Sequence, residues 1–194
     1  MPPRLAASIP ERSEILAAMP AFLPATGALT VKLVSVFPEN TDRPTHQAVI
    51  CCFDPATGTP IALIDGTYVT DARTAAGSAL ATKLLARAES AVVAVIGTGV
   101  QALAHIRALS RLPGIEEFLV AGRDSARVAA LVDKVTGSGI TARAVASIEE
   151  AVRSAAVVCA TTHSDEPVLR RQWLRPGTHV NSVRLQHRRR RGGR

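Results

Sequence analysis

Aromatic side chains, cysteines and long apolar runs are all scarce in this chain of 194 residues. Only 3% of the residues are aromatic, so alanine, valine and leucine must build the core. The three cysteines, two of them adjacent at Cys51 and Cys52, give no disulfide framework and no metal-ligand spacing. The chain start lacks the apolar core of a signal peptide, and no run approaches the roughly 18 apolar residues of a membrane span. The sequence therefore predicts a soluble, cytoplasmic protein without a membrane partner.

The excess of basic charge is confined to one end of the chain. The formal net charge is +7, but residues 184–194, RLQHRRRRGGR, hold six arginines and no acid. Without them the chain has 17 basic and 16 acidic residues, so its body is nearly neutral. A basic arm that binds nucleic acid is one interpretation of this tail. The neutral body and the scarcity of aromatic residues make nucleic acid an unexpected partner.

The first third of the sequence is typical of strands and turns. Apolar runs at Glu14–Leu23 and Leu29–Phe37 predict two strands, and His46–Phe53 and Pro60–Asp65 predict a hairpin around the turn sequence DPATG. Lys32 lies in the middle of the second run. A solvent-facing lysine on a half-exposed strand is the favoured interpretation from the pattern, and a lysine that faces a substrate is the alternative.

A helix is predicted after a turn at Asp65-Gly66. Thr70 or Asp71 can cap this helix, which then runs to about Ala86. This start places Arg73 in the first turn, where the positive end of the helix dipole disfavours a cation. Arg73 is therefore either a surface arginine or one that holds a carboxylate beside the helix N-terminus.

The stretch that follows, from residue 91 to 109, has the pattern of a buried strand, a glycine turn and a helix. Gly97-Thr98-Gly99 follows the apolar run, and Ala102 occupies the third small position of a G-x-G-x-x-A motif. Gly97 permits the tight turn, and Gly99 lets a pyrophosphate approach the backbone. A helix beginning near Val100 would direct its free N–H groups at that pyrophosphate. The motif predicts dinucleotide binding.

Strands and helices alternate through the rest of the chain, which predicts a parallel sheet covered by helices. Further strands are predicted at 117–121, 141–145, 157–160 and 178–183. With the strand before the glycine turn they make five, one fewer than the usual six. The predicted fold is α/β, a partial doubly wound Rossmann domain preceded by a smaller α+β domain. The predicted domains are residues 1–88 and 89–183, followed by a basic tail at 184–194.

The end of the second strand of this sheet bears on the cofactor. An NAD site usually has an acidic residue there that accepts the ribose 2′-OH. Here Gly122 ends the strand and Arg123 follows it, in a position to pair with the 2′-phosphate of NADP. Asp124 leaves NAD open, although capping of the next helix is its favoured role. We expect NADP, with NAD as the alternative.

Several segments together identify the chain as similar to a known family. They are LTVKLVSVFPEN at 29–40, the long stretch at 45–86 that contains D-G-x-x-x-T-x-x-R-T-A-A, VIGTGVQALAHIRAL at 95–109 and WLRPGTHVNSV at 173–183. The chain resembles the ornithine cyclodeaminase/mu-crystallin family of NAD(P)-dependent enzymes. The resemblance implies a first domain for substrate binding and homodimerisation, and an α-imino or α-amino acid substrate for a reductase or cyclodeaminase reaction.

The resemblance also implies roles for individual residues. Lys32 would contact the substrate and assist proton transfer. Four further residues would bind the substrate, with the two arginines on its carboxylate: Arg4, Arg73, Thr82 and Lys83. The cofactor would contact Gly97, Thr98, Gly99, Val100, Gln101, Arg123, Thr161 and Thr162. His105 also fits the family pattern, with helix packing as its expected role.

The chain departs from the family at its end. After Val183 the family usually continues for over a hundred residues, including an aspartate used in cyclodeamination, whereas this chain changes to the arginine-rich sequence. A frameshifted, truncated or wrongly bounded reading frame is the expected explanation. Besides an imine reductase or cyclodeaminase, the sequence leaves open an inactive nucleotide-binding protein of the same fold.

Overall fold

The computed structural model describes residues 5–12, 14–162, 164 and 166–183, which divide into two compact units. The first unit extends to Thr70 and the second starts at Asp71, inside a long helix. The predicted boundary near residue 88 instead assigned the whole helix to the first half. The domain boundary near residue 88 stays a prediction. None of the helices in the described ranges is long and apolar enough to cross a membrane.

The first unit contains an antiparallel sheet of five strands in sequence order. The strands are β1 (Leu5–Ser8), β2 (Ile15–Leu23), β3 (Ala28–Val36), β4 (His46–Phe53) and β5 (Pro60–Asp65). The two predicted strands and the predicted hairpin are confirmed. The hairpin turn follows from its sequence: Asp54 Oδ1 accepts the Ala56 N–H at 2.7 Å, and Gly58 adopts a φ of +72°.

Helix α1 (Gly66–Leu85) begins five to six residues before the predicted start. Asp65 provides the cap, because its Oδ1 accepts the Thr67 N–H at 2.8 Å. The prediction of a cap at Thr70 or Asp71 was therefore wrong. Arg73 consequently lies about two turns from the helix start, and its predicted conflict with the helix dipole does not arise.

The second unit contains a parallel sheet of five strands. The strands are β6 (Val92–Ile96), β7 (Glu117–Ala121), β8 (Ala142–Ala144), β9 (Val157–Ala160) and β10 (His179–Ser182), in the spatial order β10-β9-β6-β7-β8. All neighbours in this sheet run parallel. The order is that of a doubly wound dinucleotide fold as far as its first five strands. The α/β fold class is confirmed.

Helices on both faces of this sheet explain why its strands are continuously apolar. Helices α2 (Val100–Leu109) and α3 (Ser125–Thr136) pack in one cluster with Val93 and Val95, whereas α4 (Ile148–Ser154) packs in another with Ala94 and Ile96. Alternate residues of β6 thus face opposite layers. Ser147 caps α4 as predicted, since its hydroxyl accepts the Glu150 N–H.

Candidate active site

The candidate site lies at the carboxyl ends of the parallel strands. The strand order reverses at β6, which has β7 on one side and β9 on the other. In doubly wound sheets the ligand usually binds at the carboxyl ends of the strands, at the point where the strand order reverses. Backbone hydrogen bonds join the ends of these strands, because the Gly97 N–H donates to Ala121 O and the Thr161 N–H to Ile96 O, both at 2.9 Å.

The glycine turn after β6 has the shape that a phosphate group requires. Gly97 adopts a φ of +120°, which an L side chain rarely adopts. Gly99 is the N-cap of α2 without a side-chain cap, and a Cβ added there would meet nothing within 4 Å. The first N–H groups of α2 thus face open space at the positive end of the helix dipole. Val100, at the helix start, is 64% exposed.

The loop after β9 reaches the same turn. A Cβ added to Gly97 would lie 2.9 Å from Thr161 Oγ1 and 3.2 Å from Thr162 Cγ2. The Thr161 hydroxyl also donates to Ile96 O at 2.9 Å, which fixes its position. The structure therefore brings together the two loops that the sequence assigned to the cofactor.

The residues after β7 border this turn. Thr98 Cγ2 would lie 3.2 Å from a Cβ at Gly122, so the carboxyl ends of β6 and β7 are close together. Arg123 is exposed. Asp124 caps α3 by accepting the Arg127 N–H at 3.1 Å, and it also pairs with the Arg127 guanidinium. The favoured role of Asp124 as a cap is thus confirmed.

The predicted substrate residues on α1 differ in their surroundings. Arg73 and Lys83 are exposed. Thr82 is only 3% exposed, and its hydroxyl donates to Ser78 O and accepts from the Asn181 side chain, both at 2.9 Å. Thr82 is therefore part of the packing between α1 and β10.

Lys32 lies in the first unit, on β3 between Met19 and Ile50 of the neighbouring strands. Its side chain is half-buried, and Nζ donates to Thr70 Oγ1 at 3.4 Å. Thr70 Oγ1 in turn donates to Gly66 O. The two interpretations of Lys32, solvent-facing and substrate-facing, both stay predictions. Arg4 and the tail at 184–194 lie outside the described residues.

A buried polar network in the second unit was not predicted. Gln101 Nε2 donates to Asp71 Oδ1 at 2.7 Å, and the His105 ring joins Gln101 O at 2.7 Å to Ser78 Oγ at 2.9 Å. Asn181 is 8% exposed and its Nδ2 reaches both Thr82 and, at 3.6 Å, Cys159 Sγ. Asp71, Ser78 and Thr82 recur at intervals of seven and four, a helical spacing that could have signalled one shared face.

Burial changes the pKa values of two groups in this network, His105 and Cys159. The pKa of His105 is lowered by burial, against an opposing effect of the hydrogen bond to the Gln101 carbonyl. Burial raises the pKa of the Cys159 thiol to about 12, and the contact with Asn181 opposes this only in part. Both groups are therefore neutral near pH 7. The described residues contain no cluster of His, Cys, Asp or Glu that could hold a metal ion.

Comparisons with known proteins agree with this geometry. The family model described as "Ornithine cyclodeaminase/mu-crystallin family" matches residues 1–186. The ketimine reductase mu-crystallin of Mus musculus is 36% identical over 184 residues, which are 94% of this chain and 58% of that protein. The chain thus spans little more than half the length of this curated relative.

Two solved structures have the same fold over nearly the whole chain. The Thermococcus litoralis Δ1-pyrroline-2-carboxylate reductase, in complex with NADH and L-proline, superposes with a TM-score of 0.89 at 36% identity, covering 93% of this chain and 57% of that one. An archaeal alanine dehydrogenase dimer with bound NAD gives a TM-score of 0.85 at 35% identity, covering 93% and 55%.

Proposed function

The chain belongs to the ornithine cyclodeaminase/mu-crystallin family, and from that premise we propose that it is an NAD(P)-dependent reductase of cyclic or linear α-imino acids. The observation that carries the proposal is the turn at Gly97–Gly99 beside Thr161, at the point where the strand order reverses. A cyclodeaminase that acts on an α-amino acid is the alternative within the family.

The residues of the turn fit a dinucleotide. The uncapped start of α2 and the open space at Gly99 would accommodate a pyrophosphate. Gln101 Oε1 is buried and has no hydrogen-bond partner among the described residues, so it can accept a hydrogen bond from a bound cofactor or substrate. Gly97, Thr98, Gly99, Val100, Gln101, Thr161 and Thr162 are the residues that we expect to line the cofactor site.

Arg123 supports NADP as the preferred cofactor. It is exposed directly after β7, where a 2′-phosphate would lie, and Asp124 is occupied in capping α3. Replacing Arg123 with Ala should weaken NADPH binding by about 2 kcal/mol, roughly 30-fold, and leave NADH binding nearly unchanged. Fluorescence titration measures both constants, with Arg153→Ala on α4 as the control. Equal loss for both cofactors would contradict the assignment.

The substrate residues are proposed from the family resemblance. Arg73 and Arg4 would bind the carboxylate, because an arginine fork matches two carboxylate oxygens. Lys32 would contact the substrate and deliver a proton to its nitrogen, and Lys83 and Thr82 would complete the site. The bound cofactor would supply the hydride that reduces the C=N bond. The half-buried position of Lys32 supports a functional role, since an ammonium group is costly to remove from water.

A homodimer is proposed from the apolar surface of the first unit. Every buried hydrophobic side chain in the described residues lies at position 75 or later. Ile61 and Leu63, both on β5, are 64% and 74% exposed. Exposed apolar residues grouped in this way mark association surfaces. The dimer of the archaeal alanine dehydrogenase supports a second copy of the chain as the partner.

The activity is tested with the purified protein. We expect NADPH oxidation with Δ1-pyrroline-2-carboxylate that depends on Arg73 and Lys32, and little release of ammonia from L-ornithine with NAD⁺. Ammonia release that exceeds NADPH oxidation would favour the cyclodeaminase. NADPH binding without turnover of either substrate would favour an inactive nucleotide-binding protein. No cofactor binding at all would overturn the proposal.

A further inference from the structure

Two hydrogen bonds join helix α1 to helix α2 within the second unit. The first is from Gln101 Nε2 to Asp71 Oδ1, and the second links the His105 ring to Ser78 Oγ. The pairs are four residues apart on α2 and seven on α1, so they are separated by about one turn and about two turns respectively. Arg73, the proposed carboxylate ligand, lies on α1 between the two contacts.

The hydrogen-bonding pattern defines the state of His105. A carbonyl oxygen only accepts, so the bond to Gln101 O requires the proton on Nδ1. Because burial lowers the pKa of His105, the ring is neutral near pH 7. Its Nε2 therefore accepts a hydrogen bond from the Ser78 hydroxyl. The imidazole is completely buried, with both nitrogens satisfied. It therefore connects the backbone of α2 to the side chain of α1 in one defined orientation.

Apart from the bond between Thr82 and Asn181 of β10, the packed face of α1 has few other contacts that set its register. Its most buried residues are Ala75, Ala79 and Thr82, whereas its large apolar residues Leu80, Leu84 and Leu85 are exposed. Small side chains let a helix slide or rotate at low cost, since they form no interlocking ridges. Directional hydrogen bonds are thus the contacts that can hold α1 in one position against α2.

We propose that His105 and Ser78, together with Gln101 and Asp71, are positioning residues that set Arg73 at a defined place relative to the glycine turn. The turn and α2 are continuous, so a shift of α1 along α2 changes the separation between the carboxylate ligand and the cofactor site. The inference rests on the proposed function, in which Arg73 binds the substrate carboxylate. It assigns His105 a role in substrate geometry beyond simple packing.

Two substitutions of His105 separate positioning from packing. In His105→Gln the side-chain oxygen can reach the Nε2 position and accept from Ser78, whereas His105→Asn can replace only the bond to Gln101 O. We expect His105→Asn and Ser78→Ala to raise KM for Δ1-pyrroline-2-carboxylate about tenfold, with kcat and the NADPH Kd changed less than about threefold. His105→Gln should stay within about twofold of wild type. Ser138→Ala, an exposed serine on the same unit, is the control.

Binding of pyrrole-2-carboxylate to the NADPH-loaded protein gives a second measurement that needs no turnover. Its Kd, from calorimetry, should rise about tenfold in Ser78→Ala and His105→Asn, and Ser78→Ala should have no further effect in an Arg73→Ala background. Equal effects of His105→Asn and His105→Gln would overturn the positioning role and leave the proposed function standing. Additive effects of Ser78→Ala and Arg73→Ala would do the same. Failure of the wild type to bind this carboxylate would overturn the proposed function and the positioning role with it.

Discussion

Gly97 and Gly99 are two glycines of one motif with different physical requirements. Gly97 has a φ of +120° and is crowded by Thr161, so the folded backbone itself needs glycine there. Gly99 has an ordinary backbone conformation with φ of −82°, and a Cβ added there would meet nothing within 4 Å. Only a bound ligand would require the second glycine. Gly97 is therefore required for folding, and Gly99 for binding a ligand.

Alanine substitutions test this distinction. Gly97→Ala should lower the free energy of unfolding by about 1–3 kcal/mol, because the new Cβ is strained and meets Thr161 Oγ1. Gly99→Ala should cost less than about 1 kcal/mol but weaken NADPH binding at least roughly tenfold. Urea denaturation and cofactor titration measure the two effects. Normal NADPH binding by Gly99→Ala would show that no phosphate approaches this position.

The buried His105 ring should make the free energy of unfolding depend on pH. Its pKa in the folded protein is lowered from 6.5, so the unfolded chain takes up a proton first as the pH falls. The stabilising contribution of the neutral imidazole is thus fully present above about pH 6.5 and decreases below it. The midpoint of urea unfolding should fall more steeply between pH 7 and 5 in wild type than in His105→Gln. Parallel profiles would contradict a buried neutral ring.

At the level of elements, α1 shows where local sequence signals mislead. Thr70 and Asp71 have good capping side chains, yet the helix begins at Gly66 because Asp65 already caps it at the end of β5. Asp71 instead accepts a hydrogen bond from Gln101 on α2. A capping residue type is recognisable in a sequence, but which of several candidates performs the capping depends on where the preceding strand ends.

The contact between α1 and β10 depends on one buried pair of polar side chains. Thr82→Val keeps the volume of the side chain but leaves the buried Asn181 amide without its shortest acceptor. We expect a loss of about 1–3 kcal/mol in the free energy of unfolding, measured by urea denaturation. Thr136→Val, at an exposed threonine of α3, should change it by less than about 0.5 kcal/mol. An unchanged stability with impaired substrate binding would instead favour the substrate role predicted for Thr82.

Across the whole molecule, the apolar residues are distributed unevenly. The parallel sheet is covered on both faces by its own helices, and the antiparallel sheet leaves large apolar side chains on its surface. Since burial of apolar area is the main favourable term in association, the antiparallel sheet is the surface most suited to a partner.

Charge placed on that surface tests the homodimer. Leu63→Lys should convert a wild-type dimer into monomers at micromolar concentration, because a charged group would have to be buried at the interface. Sedimentation velocity measures the oligomeric state, with Arg143→Lys on β8 as a control for a conservative surface change. A dimer that withstands Leu63→Lys would place the interface elsewhere, and a monomeric wild type would contradict the dimer itself.

The sequence by itself determined the strands other than β1, the order in which they alternate with helices, the glycine turn and the family. These depend on local patterns: apolar period, turn residues and a specific motif such as D-G-x-x-x-T-x-x-R-T-A-A. Only the tertiary structure decided that Gly97 meets Thr161, that Lys32 donates to Thr70, and that His105 and Ser78 join two helices. Each of these contacts joins residues at least 27 positions apart, and their pairing depends on how strands and helices pack, which no local pattern records.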